Sequence, residues 1–355
     1  MSVTASSEGP SVSATEAVLS VPDPGRLLEA VALLHELERP RRVPFERNGH
    51  NWELRLPRPP VDRLEYLLEL RARDGSDGIG PDAANPFRAT GPFGDKSVLE
   101  FPGYDPPAWL QDDEAVPGEL RPLPLDSRRL GTTLDALLWS APETDPAEPL
   151  PLLLVHDGPE YARFSGLIRL LDHLADFGEI PECRAALLPP PRDRNESYSA
   201  SARYANALAA ELVPLVRAEA PTERELVLMG ASLGAVAALH AHWRNPGLVG
   251  GLFLQSGSFF RRRFDSHESG FGRFGRISRF VGAVNGGRGI VAPVPTTITC
   301  GTAEENVHNN RTLAEALARR GFPVTVVEHP DAHNWISWRD ALAPYLAELL
   351  LRAWT

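Results

Sequence analysis

The stretch Glu225-Leu-Val-Leu-Met-Gly-Ala-Ser-Leu-Gly-Ala-Val-Ala-Ala-Leu-His240 joins an apolar run, a G-x-S-x-G turn and an alanine-rich run. Read in order, these are a buried strand, a sharp turn and a helix. A catalytic serine needs that context. The turn lifts a strained residue out of the end of a strand, and glycines on either side let strand and helix approach without Cβ clashes. The hydroxyl of Ser232 would then point out above a sheet, with the N–H of Leu233 and the helix N-terminus facing a developing oxyanion. Five residues of this type also occur by chance in ordinary strand-to-helix turns. The surrounding periodicity favours the nucleophile.

A serine hydroxyl attacks only when a neighbouring base takes its proton, and the base needs an acid to fix its tautomer. His333, in Glu328-His-Pro-Asp-Ala-His-Asn-Trp-Ile-Ser-Trp338, follows the last expected strand and precedes a closing helix. Its rival, His329, sits at the strand end before Pro330 and reads as a packed or capping residue. The acid belongs on the loop after the preceding strand, where Thr299-Cys-Gly-Thr-Ala-Glu-Glu-Asn306 offers Glu304 and Glu305. Glu304 is preferred; the bland reading makes both solvated first-turn residues of the next helix. The chain order Ser, acid, His is satisfied.

Outward from this centre, strands alternate with helices, the pattern of a largely parallel sheet with helical crossovers. Strands are expected at Leu134 to Ser140, Leu150 to Val155, Arg184 to Leu188, Leu226 to Met229, Gly251 to Gln255, Thr296 to Cys300 and Val324 to Glu328. Helices are expected at Phe164 to Phe177, Tyr204 to Arg217, through Trp243, Asn309 to Arg320 and from about Trp338. The order is that of an α/β-hydrolase, placed at 124–355. Upstream, Pro24 to Glu38 carries Leu27, Leu28, Val31, Leu34 and Leu37 at helical spacing and reads as an amphipathic helix. Asn51 to Leu56 and Arg63 to Leu70 read as strands punctuated by Pro57, Pro59, Pro60 and Asp-Gly pairs, so 22–120 reads as a helix plus a small β-sandwich domain. The proline-rich run Pro117 to Pro124 reads as the linker, and 1–21 as a disordered tail.

Composition narrows the function classes. The 355 residues are 43% hydrophobic and carry a formal net charge of -11, which opposes general binding to nucleic acid or an anionic membrane. Only Cys183 and Cys300 occur, far apart, so neither a disulfide scaffold nor a zinc site is expected, and a reducing, cytoplasmic setting fits. No run reaches roughly 18 uncharged apolar residues, so no membrane span is expected.

The chain resembles the family of α/β-hydrolase esterases that includes the enterochelin (ferric siderophore) esterases. The resemblance rests on Leu154-Val-His-Asp-Gly-Pro-Glu-Tyr161, Arg194-Asn-Glu-Ser-Tyr-Ser199, the serine turn, Leu254-Gln-Ser-Gly-Ser258, Cys300-Gly-Thr-Ala-Glu304 and Ala332-His-Asn-Trp335. It covers nearly all of the chain from Pro124 onward. Asp82-Ala-Ala-Asn-Pro86 and Gly91-Pro-Phe-Gly-Asp95 look like the N-terminal β domain of such proteins. The resemblance implies hydrolysis of carboxylic esters, a catecholate siderophore or other esters, with no cofactor and no catalytic metal. One departure stands out: the second oxyanion donor of similar hydrolases commonly follows an Asp-Gly pair, and here Pro159 has no N–H. Gly158 or Glu160 would have to replace it.

The basic run Phe259-Phe-Arg-Arg-Arg-Phe264 falls where such hydrolases carry a lid, so Arg261, Arg262 and Arg263 are candidates for binding an anionic aromatic substrate, or else belong to a solvated helix. Arg194 with Glu196 either lines the pocket or forms a structural ion pair. Histidines 156, 240, 242 and 308 read as core or surface residues. A general carboxylesterase or acyltransferase, and a weakly catalytic binding protein, remain open, as does a homodimer.

Overall fold

The computed structural model describes residues 9–37, 41–289 and 292–354. They divide into two compact units: Met1–Asp105 with Gly301–Glu305 and Pro330–Ser337, and Pro106–Cys300 with Asn306–His329 and Trp338–Thr355.

The smaller unit is a β sandwich. Its strands are β1 (Ser11–Val12), β2 (Glu16–Pro22), β3 (Leu28–His35), β4 (Arg42–Pro44), β5 (Glu46–Asn48), β6 (Asn51–Pro57), β7 (Arg63–Ala72), β8 (Asp77–Gly80), β9 (Arg88–Ala89) and β10 (Lys96–Glu100). One sheet runs β1-β2-β6-β5; the other runs β4-β3-β7-β10-β9, with β8 paired to β7. Ala17, Leu19, Trp52 and Leu54 of the first sheet share a core with Val31, Leu33, Leu64, Tyr66 and Leu68 of the second. Ala303 and Ala332, from the two later segments of the unit, are buried in the same core.

Two expectations are corrected here. Residues 9–21, read as disordered tail, contain β1 and most of β2, where Ala17 and Leu19 alternate with more exposed residues and pair with Leu56 and Leu54. Residues 1–8 of that tail lie outside the described residues. The helix expected over Pro24 to Glu38 is instead the inner strand β3, flanked by β4 and β7. Val31, Ala32 and Leu33 are consecutive and all buried. Such an apolar run on a doubly covered strand mimics helical spacing. Glu38 lies outside the described residues.

The larger unit is built on an eight-stranded sheet in the order β11-β12-β14-β13-β15-β16-β17-β18. The strands are β11 (Glu119–Ser127), β12 (Thr132–Ser140), β13 (Leu152–His156), β14 (Arg184–Leu188), β15 (Leu226–Ala231), β16 (Val249–Gln255), β17 (Thr296–Gly301) and β18 (Val324–His329). The first three in sheet order are antiparallel, and pairing is parallel from β14 through β17. The helices are α1 (Gly158–Phe164), α2 (Leu167–Asp176), α3 (Arg194–Tyr198), α4 (Ala202–Ala207), α5 (Val213–Glu219), α6 (Leu233–Arg244), α7 (Phe274–Asn285), α8 (Val307–Ala318), α9 (Trp335–Asp340) and α10 (Tyr345–Trp354). The expected helix Phe164 to Phe177 is α2, which begins at Leu167 because Gly166, at φ 60°, separates it from α1. A wider turn over Leu208–Leu212 joins α4 to α5.

The linker expected at Pro117 to Pro124 is mostly β11, an edge strand whose Leu123 and Leu125 alternate into the core. Proline cannot donate to a ladder, and an edge position tolerates Pro122 and Pro124. The division between units falls at Asp105 instead. No helix among the described residues is long and apolar enough to cross a membrane.

Candidate active site

The chemistry-bearing residues form two constellations, one in each unit. In the larger unit, β15 delivers Ser232 into the turn before α6 at φ 56°, ψ -119°. A non-glycine residue in this region is strained, by about 1–3 kcal/mol, and persists where the surroundings over-determine it. The surroundings here are tightly packed. A Cβ on Gly230 would meet the carbonyl carbon of Gly234, and one on Gly234 would come within 3.3 Å of an Asp157 carboxylate oxygen. Ser232 N–H donates to Gln255 O at 2.9 Å, tying the turn to β16. Ser232 Oγ lies 3.1 Å from Ser258 Oγ. Leu233 is the first residue of α6, so its N–H has no partner inside the helix.

The neighbouring strand β13 runs parallel to β15, Val155 opposite Met229, so Asp157 and Ser232 leave the sheet at the same edge. Asp157 is buried in the left-handed conformation, φ 53°, ψ 37°, and precedes α1. Gly158 begins that helix with its Cα pressed on Leu187, where a side chain would collide with backbone. The first helical bond of α1 runs from Tyr161 N–H to Asp157 O. The N–H groups of Gly158 and Glu160 precede it, and Pro159 between them offers none. Burial pushes the Glu160 carboxyl up from the ordinary range; Asp157 adds to the shift and Arg194 opposes it.

Arg194 does not pair with Glu196. It donates to both carboxylate oxygens of Asp157, Nε at 2.9 Å and Nη2 at 2.7 Å, while its guanidinium lies 5.3 Å from the centre of the Tyr198 ring. Such a fork is rigid as well as strong. Glu196 instead pairs with Arg273 and Arg276. Arg261 is likewise held by the fold: Nε donates to Asn309 Oδ1 at 2.6 Å and Nη1 to Thr312 Oγ1 at 3.1 Å. Arg262 and Arg263 are exposed, in a turn rather than a helix.

The smaller unit holds the second constellation. His333 Nδ1 donates to Glu304 Oε2 at 2.7 Å. Glu304 is 3% exposed, and its Oε1 accepts from Gly301 N–H at 2.8 Å. Glu305 faces elsewhere and pairs with Arg41. His329 ends β18, four residues before His333. The loops bearing Glu304 and His333 are tied to each other by Ala303 N–H donating to Asp331 O at 3.2 Å, and Gly301 has no space for a Cβ beside that carbonyl. Asp331 Oδ1 accepts from Ala332 N–H and Asn334 Nδ2, and Asp331 Oδ2 lies 3.6 Å from Arg63 Nη1. Pro330 O accepts from Asp62 N–H at 2.8 Å. The loops bearing Glu304 and His333 thus belong to the same unit as the β sandwich.

Asp157, Gly301, Asp331 and Ser258 were not singled out from sequence for roles at the site. All four lie within the stretches quoted above, but their partners are distant in the chain.

Residues 135–275 match the family model described as "Putative esterase". No curated protein sequence matches the chain. Among solved structures, the enterobactin esterase of Shigella flexneri, crystallised in the presence of 2,3-dihydroxy-N-benzoyl-glycine, is similar at 19% identity and a TM-score of 0.77, covering 98% of both chains. The ferric enterobactin esterase of Salmonella typhimurium is similar at 18% identity and a TM-score of 0.77, covering 99% of this chain and 97% of its own. A ferulic acid esterase is similar over 66% of this chain, at 15% identity and a TM-score of 0.55. At these identities the structural likeness speaks for the fold. It shows an α/β-hydrolase unit preceded by a β sandwich, and within that unit residues 135–275 are similar to the family described as putative esterases.

Proposed function

We propose that the chain hydrolyses esters of a catecholate siderophore through an acyl-enzyme. Ser232 attacks the ester carbonyl, His333 takes the proton and returns it to the leaving alcohol, and Glu304 holds His333 in the tautomer that presents Nε2 to the serine. The N–H of Leu233 receives the oxyanion, with Gly158 or Glu160 as the second donor in place of Pro159. Water deacylates the serine by the reverse sequence. The observation that carries this reading is the backbone of Ser232, a non-glycine residue at φ 56° between a buried strand and a buried helix. The couple of buried Glu304 and half-exposed His333 supports it independently.

The substrate class rests on similarity along the whole chain to esterases named for enterobactin. Exposed Arg262 and Arg263 suit an anionic catecholate. A fluorophosphonate probe tests the nucleophile: wild type labels, and Ser232→Ala does not. Parallel assays with a short-chain aryl ester and a catecholate trilactone test the substrate. A kcat/KM for the trilactone no higher than for the aryl ester would leave a general carboxylesterase.

A further inference from the structure

The geometry points to Ser258 as a second hydroxyl of the catalytic apparatus, one that donates a hydrogen bond to Ser232 Oγ as that oxygen gains negative charge. The two oxygens are 3.1 Å apart, within reach of such a bond. The backbone fixes the same pair, because Ser258 N–H donates to Ser232 O at 3.1 Å. Ser258 is 7% exposed, so its hydroxyl is largely withdrawn from bulk water.

The turn that presents Ser258 is held from several sides. Ser256, after the adjacent strand β16, is another strained non-glycine position, at φ 47°. Its N–H donates to Thr299 O at 2.7 Å, and its hydroxyl accepts from Trp338 Nε1 at 2.9 Å. Gly257 sits between the side chains of two asparagines. Asn310 accepts from its N–H at 3.0 Å and donates to its carbonyl at 3.1 Å, and Asn306 donates to the carbonyls of Ser256 and Gly257 at 2.9 and 3.2 Å. A Cβ on Gly257 would collide with the ring of Phe259. Buried amide groups are costly to leave unsatisfied, so this arrangement has little freedom to relax. What it places is one hydroxyl beside Ser232.

The inference rests on Ser232 being the nucleophile. During acylation the Ser232 O–H bond breaks, its proton goes to His333, and its oxygen pair forms the bond to the ester carbon while the carbonyl π pair moves onto the carbonyl oxygen. Collapse of that adduct expels the alcohol, which takes the proton back from His333. Ser258 keeps its own proton throughout and contributes only a hydrogen bond. That bond is strongest where Ser232 Oγ carries most alkoxide character, at attack and again when water displaces it from the acyl-enzyme. A group that binds more tightly at those points than in the ground state raises kcat with little change in KM.

The test compares wild type, Ser258→Ala and Ser258→Thr with an aryl ester, under steady-state and burst conditions, alongside the rate of fluorophosphonate labelling. Loss of a hydrogen bond to a developing charge predicts a fall of roughly 10- to 100-fold in kcat and in labelling rate for Ser258→Ala, with KM within about threefold. Ser258→Thr, which keeps the hydroxyl, is expected to recover part of the loss. If wild type labels at Ser232 and Ser258→Ala labels and turns over at the wild-type rate, the role of Ser258 is overturned while the nucleophile stands. If wild type does not label, the reading of Ser232 itself fails. Should Ser258→Ala not fold, as judged by its melting curve, Ser258→Gly is read by the same criteria.

Discussion

Glu304 and Glu305 are neighbours of the same chemistry, yet one is buried with its carboxylate shared between His333 and a backbone N–H, and the other pairs with Arg41 near the surface. Glu304→Gln is expected to lower kcat by roughly 10³- to 10⁴-fold, because an amide no longer selects the productive tautomer of the base. Glu305→Gln is expected to leave kcat within about twofold, since an exposed ion pair contributes little. Steady-state hydrolysis of an aryl ester separates the two. From sequence both candidates were visible and neither was excluded. Both follow the same strand, and what distinguishes them is side-chain direction, set by Gly301 and Asp331 on loops that only the fold brings together. The serine was legible because everything it needs lies within a few residues of it.

At the scale of elements, the paired strands β13 and β15 bury His156 completely, its Nδ1 donating to Met229 O at 3.0 Å across the pair. Burial pushes its pKa down to about 4, with the bond to Met229 opposing the shift. Above about pH 6.5 the imidazole is neutral in both folded and unfolded chains. As the pH falls from there toward 4 the unfolded chain takes up a proton that the folded chain refuses, so stability is lost across that window, by an amount on the order of 3 kcal/mol from this residue. Urea midpoints measured at pH 7 and pH 4.5 are expected to show the loss, and His156→Gln to reduce it. His240, also lowered to about 4 by burial, keeps the slope from vanishing. The strands around His156 were readable from their continuous apolar runs. Helical spacing of Leu27, Leu28, Val31, Leu34 and Leu37 suggested a helix where β3 lies, and proline content suggested a linker where β11 lies; in both, the sheet neighbours decide.

For the whole molecule, the N-terminal unit extends well beyond residues 9–105, because the loops bearing Glu304 and His333 are part of its fold. Arg63 on β7, 4% exposed at its side chain and 3.6 Å from Asp331, connects the sandwich to the loop bearing His333. Arg63→Met leaves Asp331 as a buried charge without that guanidinium. The expected cost is about 3 kcal/mol of stability, with a fall in kcat that exceeds any change in KM. Chemical denaturation and steady-state kinetics on the same preparation check both. The sequence marked a β domain here but gave no sign that it would hold His333, since the residues that secure the loop lie some 270 positions upstream.

Resistance to heat acquires an unusual dependence from that arrangement. Where two units can open separately, survival of activity follows the weaker one. Loss of order in the sandwich would disperse Glu304 and His333, to which the proposed mechanism gives the roles of acid and base, while the turn at Ser232 in the larger unit kept its shape. With the sandwich the first to melt, inactivation under the proposed mechanism would report the melting of about a third of the chain, and strengthening the larger core would extend the working range very little.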